Sequence, residues 1–141
     1  MLRNKCIPLL LIITFVCFCS GCGLLGGQKY TCEAENVKSI QIIRLGEFNK
    51  EEYRYEYDVL AEVTEASAFI ERLNNIKQSV HWSDPAVLHA GYFVIKIDYA
   101  NGDYDLLHHS ALMEYRSGGF NYEYIEFNTS QFDKLVSDYL Q

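Results

Sequence analysis

Tyrosine is the residue with the most chemistry to offer in this chain, because its eleven copies fall at spacings that gather phenol rings onto shared surfaces. Tyr53, Tyr55 and Tyr57 alternate with Arg54, Glu56 and Asp58, the period-two pattern of a half-buried strand, so their rings are expected along one face. Tyr122 and Tyr124 repeat that spacing on a later strand, with Tyr115 close by in sequence. An exposed row of phenols binds a protein partner or the rings of a glycan, since tyrosine gives large contact area at low entropic cost and keeps a hydrogen-bonding tip. The competing reading is packing, because tyrosine favours half-buried strand positions whatever the function. Trp82 and Tyr92, in the irregular stretch from Ser79 to Gly91, form a second candidate binding site, suited to a small ligand or a glycan.

The other reactive types are arranged less favourably. His108 and His109 are adjacent on an expected strand, which would send their rings to opposite faces. His81 and His89 lie eight apart around Trp82, Asp84 and Pro85, with neither a His-x-x-x-His pair nor paired cysteines, so no metal site is expected. Asp98, Asn101, Asp103 and Asp105 surround a turn, but they lack the alternating oxygen ligands, central glycine and distal glutamate of a calcium loop. There is no Gly-x-Ser-x-Gly elbow, phosphate loop or dinucleotide fingerprint. No catalytic residue and no cofactor are expected, and an enzyme would have to rely on two carboxylates brought together by folding.

Placement is set by the first 22 residues. Arg3 and Lys5 precede an apolar run, Ile7 to Cys19, that at 13 residues falls short of the roughly 20 needed to span a bilayer. A small-residue step, Ser20-Gly21, then leads into Cys22. This order is that of a cleaved secretory signal. It resembles the signal of bacterial lipoproteins, in which cleavage falls just before a cysteine whose thiol already carries a diacylglycerol. The resemblance implies lipidation of Cys22, a membrane anchor and a location on the extracytoplasmic face of the cell membrane. The position three residues before that cysteine, usually Leu, is Cys19 here, so ordinary secretion and a retained anchor stay open as alternatives.

Cleavage after residue 21 would remove Arg3 and Lys5 from the 12 basic residues and none of the 19 acidic ones, leaving a charge of −9. So acidic a chain is repelled by nucleic acid and by anionic headgroups, which argues against a nucleic-acid partner and makes acyl chains the source of membrane affinity. Cys6, Cys17 and Cys19 would leave with the signal. With Cys22 lipidated, Cys32 has no intramolecular partner and is expected as an unpaired thiol in a flexible tether over residues 22–36.

Residues 37–141 are enough for one domain without disulfides. Val37 to Leu45 and Tyr53 to Val59 are expected to form strands joined by a hairpin connection over Gly46 to Glu52. A helix follows, capped by Thr64, with Ala66, Phe69, Ile70, Leu73 and Ile76 at three- and four-residue intervals. Gly91 to Tyr99, a tight turn at Asn101-Gly102, a returning strand through Leu107, and a further hairpin of Glu114 to Arg116 and Phe120 to Phe127 around Ser117-Gly118-Gly119 come next. Asn128 or Thr129 then caps a helix with Phe132, Leu135, Val136, Tyr139 and Leu140 on its apolar face. The order predicts an α+β domain: an antiparallel sheet of about six strands with two helices packed on one face. The segment from Gly91 to Asp103 resembles small extracytoplasmic domains of bacterial lipoproteins. The expected role is binding an envelope protein or peptide through sheet aromatics or an exposed strand edge. The alternatives are a small-ligand or glycan receptor at Trp82 and Tyr92, and an envelope hydrolase.

Overall fold

The computed structural model describes residues 29–79 and 87–141. Cys22 with the leader, and His81 and Trp82, lie outside the described residues. Strands β1 (Val37–Asn49) and β2 (Arg54–Glu62) form a long hairpin, followed by helix α1 (Ala66–Asn74) and the short β3 (Gln78–Ser79). Then come β4 (Phe93–Tyr99), β5 (Tyr104–His108), β6 (Ala111–Arg116), β7 (Gly119–Glu123), the short β8 (Glu126–Phe127) and helix α2 (Thr129–Tyr139).

Six strands form one sheet in the order β2-β1-β4-β5-β6-β7, antiparallel at every pairing, while β3 and β8 make a separate two-stranded ribbon. Both helices cover the same face. Phe69, Ile70 and Leu73 of α1 and Phe132, Leu135 and Val136 of α2 pack on Ile40, Ile42, Ile95, Ile97, Leu107 and Leu112. This is the α+β layout expected from the alternation of period-two and 3.6-residue patterns. The middle strands are apolar on their second face too: Ile43, Leu45, Val94, Leu106 and Met113 form another buried cluster, with Tyr55, Tyr92, Tyr104 and Phe120 packed around it. Among the described residues no helix lies over that side, and the sheet instead curls around it.

The curl starts in β1. Its register on β2 slips between Leu45 and Phe48, so Gly46 and Glu47 together face Glu56. A Cβ on Gly46 would sit 3.0 Å from the Glu56 carbonyl oxygen, which is why glycine occupies the bulge. Such a bulge bends the strand and sharpens its twist. The expected connection over Gly46 to Glu52 is therefore corrected: the ladder continues to Asn49, whose side chain accepts from the Glu51 and Glu52 amides to close the turn. Beyond the bulge the hairpin tip folds over the second face until Phe48 and Tyr53 meet Phe120 of β7, at ring separations of 6.2 and 5.2 Å. The tip of the β1–β2 hairpin thus approaches the far edge strand β7 through side chains.

The tether expectation is corrected at its far end. Tyr30 and Cys32 are buried in the helix-side core. The Gln78 amide brackets the Tyr30 backbone and the Asn74 amide brackets that of Cys32, each accepting from the N–H and donating to the carbonyl as a neighbouring strand would. The polar composition hid a period-two signal, with Tyr30 and Cys32 alternating with Lys29, Thr31 and Glu33.

Two turns follow their sequence chemistry in different ways. At Asn101-Gly102 only Gly102 has positive φ, and its N–H donates to Tyr99, which makes a type I turn closed by a glycine rather than a tight two-residue turn. At Ser117-Gly118 both residues have positive φ, the geometry of a two-residue hairpin loop. Asn128 caps α2 by accepting from the Gln131 N–H at 3.1 Å, whereas Glu65 holds the N-cap position of α1 without a side-chain hydrogen bond, so the expected Thr64 cap is not formed.

Candidate functional site

The curled sheet brings Tyr53, Tyr55, Tyr57 and Tyr122 to one surface, the face turned away from the helices. Strand alternation puts Tyr55 and Tyr57 on the side of Leu45 and Ile43, and the ladder puts Phe120 and Tyr122 on the side of Met113. Tyr53 reaches the same surface from the turn, where it holds φ 51, a left-handed conformation unfavourable for an aromatic residue. Its ring is kept there by Phe48 and Phe120. Tyr53 is 57% exposed, Tyr57 43%, Val59 46% and Tyr122 36%, so a large part of this aromatic surface faces solvent.

At the mouth of the curl lies a cleft of about 180 Å³ lined by Arg54, Tyr55, Tyr57, Lys96, Asp98, Tyr104 and Leu106. Lys96 is its buried base. The ammonium pairs with Asp98 and sits 5.5 Å from the Tyr57 ring centroid and 5.4 Å from that of Tyr104, an arrangement that offsets its desolvation through the ring quadrupoles. Ser39 donates a second hydrogen bond to Asp98 at 3.1 Å, and Arg54 at the rim pairs with Glu52. Burial, with Tyr115 and Tyr57 nearby, pushes the Tyr104 phenol up to about 12, and burial with the neighbouring Tyr55 does the same to Tyr122. These phenols are neutral hydrogen-bonding groups at physiological pH.

The remaining expected residues fall elsewhere. Tyr92 stacks on His108 at 4.4 Å and meets His89 edge-on, while its carbonyl accepts from Leu45. Tyr124 lies between β7 and β8, half-buried and outside the ladder, so the expected pairing of Tyr122 with Tyr124 along one strand face is not formed. Trp82, the other half of the second candidate site, is outside the described residues.

The adjacent histidines depart from expectation. β5 ends at His108 and His109 begins the turn to β6, so their ring centroids come within 4.0 Å instead of opposing each other across the sheet. Burial, then the neighbouring His109, lowers the His108 pKa to about 4. Among the described residues no group of three His, Cys, Asp or Glu is placed to hold a metal. The four residues around the Asn101 turn diverge: Asp98 pairs with Lys96 on the open face, Asp105 is buried on the helix side, and Asp103 accepts from the Ser117 N–H and from Asn101.

Asp105 anchors the most reactive-looking cluster. At 1% exposure it accepts from the Tyr30 hydroxyl at 3.0 Å and the Tyr99 hydroxyl at 2.6 Å, and it pairs with Arg116. Burial pushes both phenols and the nearby Cys32 thiol upward, so all three stay protonated. Arg116 also donates to the Tyr104 and Tyr115 carbonyls and pairs with Glu114. The cleft outside it, about 520 Å³, thus opens onto groups already committed within the fold. This network is a fastener for residues 29–36 and replaces the expectation of Cys32 as a tether thiol.

Comparison brings no further assignment. No protein-family model, curated protein or solved structure matches this chain. The site is therefore defined by its own geometry: an aromatic, half-open sheet face with a lysine at its base. Sequence reasoning missed Phe48, Lys96, Tyr104 and Phe120. Lys96 carried a readable signal, a lone cation inside the apolar run Phe93 to Ile97. Phe48 carried none, because the two-residue bulge shifts its parity relative to Leu45.

Proposed function

We propose that the protein is a lipid-anchored extracytoplasmic lipoprotein whose domain binds another envelope protein or a peptide through the open face of its sheet. The single observation carrying the binding reading is that Tyr53, Tyr57, Val59 and Tyr122 remain exposed on a face the helices leave uncovered. Folding gains little from leaving these side chains in water, whereas a partner gains their area at low entropic cost. Tyr53 adds to this. A backbone held at φ 51 costs on the order of 1 kcal/mol, and such strain clusters at binding sites. On this face the cleft, about 180 Å³, is small beside the roughly 300–1,000 Å³ of ligand pockets, so the exposed aromatics there suit a protein or peptide better than a small metabolite. The anchor rests on the order of residues from Arg3 to Cys22.

The test uses the full-length protein expressed in a bacterium, with intact mass and membrane fractionation for wild type and Cys22→Ala. A lipid-sized increment on Cys22, with the variant unprocessed or released, is expected. A photo-crosslinker placed at Tyr57 should give a discrete adduct that the same group at Glu71 of α1 does not. Unlipidated protein in the medium would overturn the anchor, and equal labelling from both positions would overturn the binding face.

A further inference from the structure

We infer that the outer edge of β2 takes a specific class of partner: an extended peptide segment alternating apolar residues with Lys or Arg, added as a further strand. This deepens the binding reading above and rests on it. Among the described residues β2 pairs only with β1, so alternate backbone N–H and C=O groups along its nine residues point outward. Edges of this length are normally blunted by Lys, Pro or a bulge. Between Arg54 and Val59 there is no Lys or Pro; the bulge facing Glu56 takes its extra residue from β1, and the extra residue of β2 itself, Leu60, comes later.

The two faces of that edge state what should lie beside it. On the open side stand Tyr55, Tyr57 and Val59, which pair well with apolar or aromatic side chains directly across a ladder. On the other side stand Glu56 and Asp58, the latter paired with Arg44 at 2.9 Å and still 68% exposed in its side chain. A neighbouring strand would set its alternate residues against these carboxylates, so Lys or Arg there is favourable and Asp or Glu is not. The formal charge of −7 also steers basic segments inward.

Binding of end-blocked nonapeptides to the full-length protein in detergent, followed by fluorescence anisotropy, tests the inference. The probes are an alternating Val/Lys peptide, its Val/Glu counterpart, and the Val/Lys peptide N-methylated at alternate residues. The Val/Lys peptide should bind at least tenfold more tightly than either of the others, weaken as salt rises, and lose its preference over Val/Glu when Glu56→Lys and Asp58→Lys are combined. It should also weaken with Tyr57→Ala. Equal binding of Val/Lys and Val/Glu, both weakened by Tyr57→Ala, would overturn the charge rule and leave the aromatic face standing. Indifference to N-methylation would overturn strand addition. Binding untouched by Tyr57→Ala would count against the binding face itself, and no binding by any probe would overturn the inference.

Discussion

The two faces of the sheet are made from the same strands and treat tyrosine in opposite ways. On the helix side, Tyr30 and Tyr99 place their hydroxyls on the buried Asp105 carboxylate, whose charge Arg116 balances. On the open side, Tyr53, Tyr57 and Tyr122 leave a large fraction of their rings in water. The first arrangement spends phenols on closing the fold, since an unpaired buried carboxylate or hydroxyl would cost several kcal/mol. The second keeps them available. Tyrosine count is thus a poor guide to function until the covering layer is known, because the same residue serves as a fastener under a helix and as a contact surface beside solvent.

The comparison predicts an ordered set of effects. Phe69→Ala, which empties the helix-side core, should cost about 3–5 kcal/mol in urea unfolding, whereas Tyr57→Ala should cost under about 1 kcal/mol. Equal costs would show that the open face is as structural as the covered one. Asp105→Ala should cost about 3 kcal/mol by removing the acceptor of the buried Tyr30 hydroxyl and of the half-buried Tyr99 hydroxyl, and should expose Cys32 to thiol reagents. A fully protected Cys32 in that variant would mean that the Gln78 and Asn74 brackets alone hold the N-terminal segment.

Smaller effects sharpen the boundary between the faces. His108 has a folded pKa of about 4, below the ordinary histidine value, because burial and His109 disfavour its charge. The unfolded chain therefore takes up the proton first, so stability is complete above about pH 6.5 and falls as pH drops toward 4. The ring is half-buried, and solvent screening limits the loss to about 1 kcal/mol. His108→Gln should remove that part of the acid sensitivity, seen as a flatter plot of unfolding free energy against pH. Tyr53→Gly should leave stability unchanged or raise it by about 0.5 kcal/mol, through relief of the positive φ, while weakening partner binding. A marked loss of stability would make the Tyr53 ring a structural wedge between Phe48 and Phe120.

The layout of the sheet and helices was legible because alternation and helical spacing act locally. Asn128 as a cap, the glycine turns and the apolar faces of both helices could all be read residue by residue. The curl could not. It depends on a bulge that is visible only as one glycine, Gly46, and on contacts between Phe48 and Phe120, which lie 72 positions apart in the chain. The same non-local closure gathers the site, so Tyr53, Tyr55 and Tyr57 could be named while Lys96, Tyr104 and Phe120 could not. The docking of Tyr30 and Cys32 was hidden by polar neighbours, because the side chains of Gln78 and Asn74 supply the hydrogen bonds that a strand would normally provide.

Amide chemical-shift mapping separates an open face that binds from a covered face that holds the fold. The Val/Lys nonapeptide would be titrated into the isotopically labelled full-length protein in detergent. Shifts concentrated on Tyr53 to Val59, Lys96 and Tyr122, with α1 and α2 undisturbed, are the predicted result. Shifts centred on the helices, or on the cleft beside Arg116, would contradict it.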